Sequence, residues 1–104
     1  MTGRQPLDAL ANANRVRLAR TQLKREIKAG TTDVATVLRR DLPDWLEGIT
    51  VEELLKAQPG VGKVRVNQLT ALASVSHQRR LGLVTHRQRH VLAAALDDLS
   101  TGDR

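Results

Sequence analysis

The segment with the most chemical content is Pro59-Gly60-Val61-Gly62-Lys63, followed at once by Val64 and Arg65. It sits inside LLKAQPGVGKVRVNQL, an apolar helix end, a Gly-apolar-Gly turn and a second helical stretch. Two glycines let the backbone turn sharply and approach a ligand with no Cβ in the way. The turn then aims the unpaired N–H groups of the second helix at that ligand. A phosphate accepts from those groups and gains from the positive end of the helix dipole. Lys63 and Arg65 add charge at the same mouth, and Val61 is expected to point into the core. The pattern is not a nucleotide P-loop, because GVGKVRV lacks the spacing and the Ser/Thr after the lysine. No strand precedes it, so it is not a dinucleotide fingerprint.

Charge is segregated around this turn. The 104 residues carry a net charge of +6, with 17 basic and 11 acidic side chains. Residues 1–29 have a net +5, 30–58 a net −3, 59–92 a net +6 and 93–104 a net −2. No carboxylate occurs in the third block. Two basic blocks separated by an acidic one suit a polyanion, provided the fold brings the blocks together. Within them the candidate contacts are Arg17, Arg20, Lys24 and Lys28 on a first helix, and Arg79, Arg80, Arg87 and Gln88 beyond the turn.

Composition removes several alternatives. Cysteine is absent, which excludes disulfides, thiolate metal sites and thiol catalysis. His86 and His90 are four residues apart, a spacing that can hold a metal, but no third ligand is close in sequence. No metal, cofactor or enzyme activity is therefore expected. Trp45 is the sole aromatic residue, so the chain lacks the stacking platform used by single-strand binders. It is expected in the core, with stacking on a ligand as the alternative. No apolar run is long enough to span a membrane. The N-terminal MTGRQPLDALANANR has no secretory apolar core, so the expected location is cytoplasmic.

Five helices are expected and no strand, which makes an all-α fold. Residues 1–6 should lie outside the first helix, which runs over 7–29. There Val16, Ala19, Leu23 and Ile27 form an apolar stripe about 80° wide at 100° per residue. Gly30 is a natural stop. Further helices are expected over 33–40, 50–57 and 61–73, the last anchored by Val64, Leu69 and Leu72. Residues 74–84 read as irregular. A helix over 85–99 turns Val91, Leu92, Ala95, Leu96 and Leu99 inward. TVEE and THRQ are capping-box patterns at the starts of the third and fifth helices. Residues 1–29 form a basic helix or arm, and 30–104 the binding domain. The chain has no long apolar seam, so a monomer is expected.

LLKAQPGVGKVRVNQLTAL, HQRRLGLVTHRQRHVLAAAL and RLARTQLKREIKAGTTDVATVL together resemble the actinobacterial, mycobacterial-type integration host factor family. The likeness covers about residues 7–99. It implies a small all-α protein with a long N-terminal helix and a helix–two-turn–helix module. It further implies a nucleoid-associated protein that binds double-stranded DNA with little sequence preference, bends or compacts it, and in some members assists a phage integrase. Carried onto this chain, Pro59 to Lys63 become the phosphate-binding turn, Arg79 and Arg80 the basic pair, and Arg87 and Gln88 the start of the last helix. Where the family tends to show Arg-Gly-Leu-Gly, this chain has Gly82-Leu83-Val84-Thr85. The rival readings are an RNA-binding, ribosome-linked protein using the same turn, and a protein-interaction module.

Overall fold

The computed structural model describes residues 5–102, and side chains over 9–99. Its elements are α1 (Gln5–Ala29), α2 (Val34–Arg39), a 3₁₀ turn (Asp44–Leu46), α3 (Val51–Ala57), α4 (Lys63–Ala73), a 3₁₀ turn (Leu81–Leu83) and α5 (His86–Gly102). The all-α expectation holds. The nearest thing to a strand among the described residues is a single bridge between Thr50 and Arg80. Residues 5 and 6 are helical, not outside the helix as expected. Residues 1–4 lie outside the described residues.

Each boundary has a local cause. Gly30 adopts φ +85°, and the N–H groups of Gly30 and Thr31 donate back to Ile27 and Glu26, which closes α1. The Asp33 carboxylate accepts from the Thr36 N–H at 2.8 Å and opens α2. That bond holds the Asp33 carboxyl below its ordinary range. A second donor at the start of α2, the Val34 N–H, is satisfied by Gln58 Oε1 at 2.9 Å. Gln58 thereby ties the turn to α2. Before α5, Thr85 and Gln88 form the complete reciprocal box. Before α3 only half of it forms. Thr50 Oγ1 accepts from the Glu53 N–H, while the Glu53 carboxylate pairs with Lys24 at 2.6 Å.

α5 is the central helix, packed on α2 and α4, while α1 crosses the first 3₁₀ turn and α3. Leu23 and Ile27 bring the second half of α1 into the same core as Leu54, Leu55, Leu81 and Leu92. Val16 and Ala19 are half-buried, whereas Leu10 and Leu18 are 63% and 68% exposed. The first half of α1 thus stands out from the body, and the described residues extend over 56 × 28 × 23 Å.

One expectation about packing needs correction. α4 does not use Val64 and Leu72 as anchors; they are 68% and 65% exposed. Its inward face is Val66, Leu69, Thr70 and Ala73. Thr70 is tolerated there because its hydroxyl donates to the Val66 carbonyl at 2.8 Å, leaving no unmet polar group. The stretch 74–84 is irregular, as expected, apart from the 3₁₀ turn Leu81–Leu83. Its backbone is laced to residues 47–52 through Glu52 N–H to His77 O, Val51 N–H to Arg79 O, Leu81 N–H to Ile49 O and Gly82 N–H to Glu47 O, all within 3.0 Å.

Candidate nucleic-acid interface

The turn between α3 and α4 forms as the glycine pattern requires. Gly60 takes φ +87°, the left-handed region that costs glycine little. Gly62 caps α4 with its backbone alone, with no side-chain cap bond among the described residues. No atom lies within 4 Å of where a Cβ would stand on either glycine. The N-terminus of this 11-residue helix is therefore open in front of its donors. Lys63 is exposed beside it, and Val61 is half-buried against the core, in line with its expected inward direction. Arg65 is half-buried and lines a cavity of about 180 Å³ that also has Asp33 and Asp97 on its walls. Its charge is thus partly offset on that side.

Arg79 and Arg80 do not join this turn. Their segment is bonded to the beginning of α3, and the turn follows the end of α3. Gln88 donates to the Ser74 carbonyl at the far end of α4, at 3.2 Å, which places Arg87 and Gln88 away from Lys63 as well. The intervening distances are the helix lengths, about 10 Å for α3 and about 16 Å for α4 at 1.5 Å per residue. The candidates fall into two groups at opposite ends of the α3–α4 pair.

At the second end the two basic blocks meet, and they meet at Gly48. Arg80 Nη1 donates to the Gly48 carbonyl at 2.7 Å. Arg20 Nη2 lies 2.9 Å from the position a Gly48 Cβ would take, and Arg20 Nε donates to the Trp45 carbonyl at 2.9 Å. Trp45 itself is half-buried against the core. Both guanidiniums are held by backbone carbonyls, so each arrives with its orientation set. Arg79 is exposed beside them. Acidic groups border the same area. Lys24 is paired with Glu53, and Glu52 is bridged by Lys56 at 3.0 Å and by His77 Nδ1 at 3.2 Å. The Lys56 bond and charge, then the His77 bond, pull the Glu52 carboxyl below its usual range. Arg17 is exposed and hydrogen-bonded to Asn14, and Lys28 is exposed at the end of α1.

Sequence reasoning passed over three side chains that hold the elements together. Gln58 caps α2 from the turn, Arg15 pairs with Asp44 at 3.2 Å, and Arg89 is buried between α2 and α5. Arg89 carried a signal, since it falls on the Leu92 and Leu96 face of its helix. The metal spacing of His86 and His90 acquires no further ligand among the described residues: no group of three His, Cys, Asp or Glu residues is arranged to hold an ion.

No protein-family model matches the chain. It is 36% identical to the integration host factor of Mycobacterium tuberculosis over 93 residues, 88% of this chain and 89% of that one. It is 35% identical to the integration host factor of Mycolicibacterium smegmatis over 98 residues, 93% of each chain. Among solved structures, sIHF bound to an 8-bp palindromic DNA matches with a TM-score of 0.65 and 26% identity, over 86% of this chain and 97% of that chain. At these identities and coverages the chain belongs to the mycobacterial-type integration host factor family.

Proposed function

We propose that this protein binds double-stranded DNA through the phosphate backbone, as an architectural protein and not an enzyme. The observation that carries the reading is the open start of α4, where N–H groups face outward behind two glycines with no side chain capping them. Support comes from the DNA-bound solved relative and from the meeting of two basic blocks at Gly48.

The mechanism follows from the two ends. At the turn, the backbone of Gly60, Val61 and Gly62 cradles one phosphate, with Lys63 and Arg65 adding charge. At the other end Arg79, Arg80, Arg20 and Lys24 hold phosphates further along, and Arg87, Gln88, Arg17 and Lys28 extend the track. Backbone N–H groups and Lys/Arg contacts to phosphate fix register without reading bases, so sequence preference is weak. The ends are about 10–16 Å apart, enough to reach across a groove about 12 Å wide. Two anchors on one rigid body favour a duplex bent to meet both, at a cost of a few kcal/mol that is lowest at flexible pyrimidine–purine steps. The first half of α1 acts as a basic arm on the body whose core the second half joins, and the protein works as a monomer. Its place is the nucleoid, and a duplex held bent is the form in which it would assist a phage integrase.

Fluorescence anisotropy with a labelled duplex of about 20 base pairs, across a salt series, tests the reading. The expected log–log slope is roughly −4 to −7, for about five to eight neutralised phosphates. Duplex DNA should outcompete matched duplex RNA and single strands, and end-labelled duplexes should show energy transfer rising on binding. Preference for RNA would move the protein to the ribosome-linked reading. Absence of binding at about 100 mM salt would refute both.

A further inference from the structure

A cavity of about 270 Å³ opens between the end of α2 and the first turn of α5. Arg39, Arg40, Asp41, His86, Arg89 and His90 line it. Arg89 is 7% exposed. Its Nη1 donates to the Arg40 carbonyl at 3.0 Å, and its Nη2 to His86 Nδ1 at 2.8 Å. Its Nε–H is enclosed and has no partner.

Both acceptors are neutral. One is a backbone carbonyl. The other is an imidazole that must present a lone pair, because guanidinium only donates, so His86 carries its proton on Nε2. Among the described residues no carboxylate bonds to Arg89, although guanidinium stays charged at any ordinary pH. A full positive charge buried against dipoles alone is costly, and the cost falls when a counter-charge arrives. The surroundings are prepared for an anion. Arg40 is a second guanidinium on the wall, and its side chain is not needed for the Arg89 bond, which uses the Arg40 backbone. His90 adds an exposed donor one turn from His86. Arg39 is already held by Asp97 at 2.5 Å and contributes less. The carboxylate on the wall, Asp41, is exposed and opposes an incoming anion.

We infer that this cavity is a binding site for a tetrahedral oxyanion of the phosphate class, held by Arg89, Arg40 and His90. The same chemistry is offered by inorganic phosphate, by a small phosphomonoester and by a phosphate of a nucleic-acid strand. The inference stands on the buried Arg89 and does not depend on the DNA reading.

The test follows the arginine and histidine side-chain resonances of the full chain in heteronuclear NMR. Sodium phosphate is titrated against sodium chloride at matched ionic strength. Saturable movement of the Arg89 and His90 signals is expected, with its own midpoint, separable from any movement of the Gly62 amide at the turn. Asp41→Asn should lower the midpoint and Arg40→Gln should raise it, each by about tenfold for a charge roughly 4 Å away. Neither variant removes an observed bond of Arg89, so folding is preserved. A 20-base-pair duplex is then added at low salt. If a strand phosphate is the occupant, the duplex moves the same signals and phosphate reverses the movement. If the occupant is a free anion, the duplex leaves them in place. Either result keeps the oxyanion site. Signals that respond equally to phosphate and chloride, or midpoints unaffected by both variants, would overturn it.

Discussion

The two ends of the α3–α4 pair present their hydrogen-bond donors by opposite physical means. At the turn the donors are backbone N–H groups, fixed by the helix and left open by glycine. At the other end they are guanidiniums whose positions depend on a loop brought in from residues 77–82. The first device needs the absence of side chains. The second needs packing between segments distant in sequence. Mutations should therefore separate them, since a Cβ can spoil the turn without disturbing the fold, whereas the arginine end cannot be displaced without a loss of stability.

The largest effect is expected for Leu81→Ala. Leu81 is fully buried and anchors the loop that carries Arg79 and Arg80. Its truncation should cost about 2–5 kcal/mol, read by urea denaturation. Duplex affinity should fall because the arginines lose their seat, while the Gly60 and Gly62 amide signals of the remaining folded protein stay in place.

A pair of glycine substitutions sharpens the contrast. A Cβ on Gly82 would stand 2.9 Å from Glu47 Cβ and 3.3 Å from its carbonyl oxygen. Gly82→Val should thus cost about 1–3 kcal/mol. Gly62→Ala meets nothing within 4 Å and has a negative φ, so stability should stay within about 0.5 kcal/mol of the parent. Its duplex affinity should nevertheless drop, because the methyl group stands where the phosphate approaches. Equal stability losses at the two sites would abolish the distinction.

Next comes the acid limb of stability at the turn end. Asp33 has a folded pKa below the ordinary 3.8, caused first by the Thr36 N–H bond. The unfolded chain takes up the proton more readily. The stabilisation is therefore full above about pH 4 and is lost as pH falls through the folded value. Asp33→Asn keeps an acceptor for Thr36 but cannot titrate, and should flatten this part of the pH–stability curve. Asp33→Ala should cost about 1 kcal/mol at neutral pH.

The smallest effect concerns Glu53. Its pair with Lys24 joins two half-exposed side chains, so Glu53→Gln should change stability by less than about 1 kcal/mol. It releases Lys24 at the arginine end, and the salt slope of duplex binding should steepen by up to about 0.9. An unchanged slope would remove Lys24 from the contact track.

Much of this arrangement was legible locally. The stop at Gly30, the Thr85–Gln88 box, the inward face of α5 and the glycine turn each follow from a few adjacent residues. What was not legible depends on partners far along the chain. The stretch 74–84 looks irregular because its hydrogen bonds go to residues 47–52. Glu53 reads as half of a capping box, but Lys24 of α1 claims its carboxylate. The inward face of α4 was misjudged because Thr70 looks polar, while its hydroxyl is satisfied within its own helix. That Arg79, Arg80 and Arg87 lie at the end of the α3–α4 pair away from the turn was illegible for the same kind of reason. Sequence proximity to a helix pair does not say at which end a loop docks.

In the proposed complex the N–H groups at the start of α4 receive a phosphate of the duplex. The most direct measurement is amide NMR of the isotope-labelled protein titrated with a duplex of about 20 base pairs, at low and at high salt. Downfield movement of the Gly62, Lys63 and Val64 amide protons is expected at low salt, reversed by salt and diminished by Gly62→Ala. Binding that moves signals around Gly48 and Arg80 while leaving those three amides unchanged would contradict it.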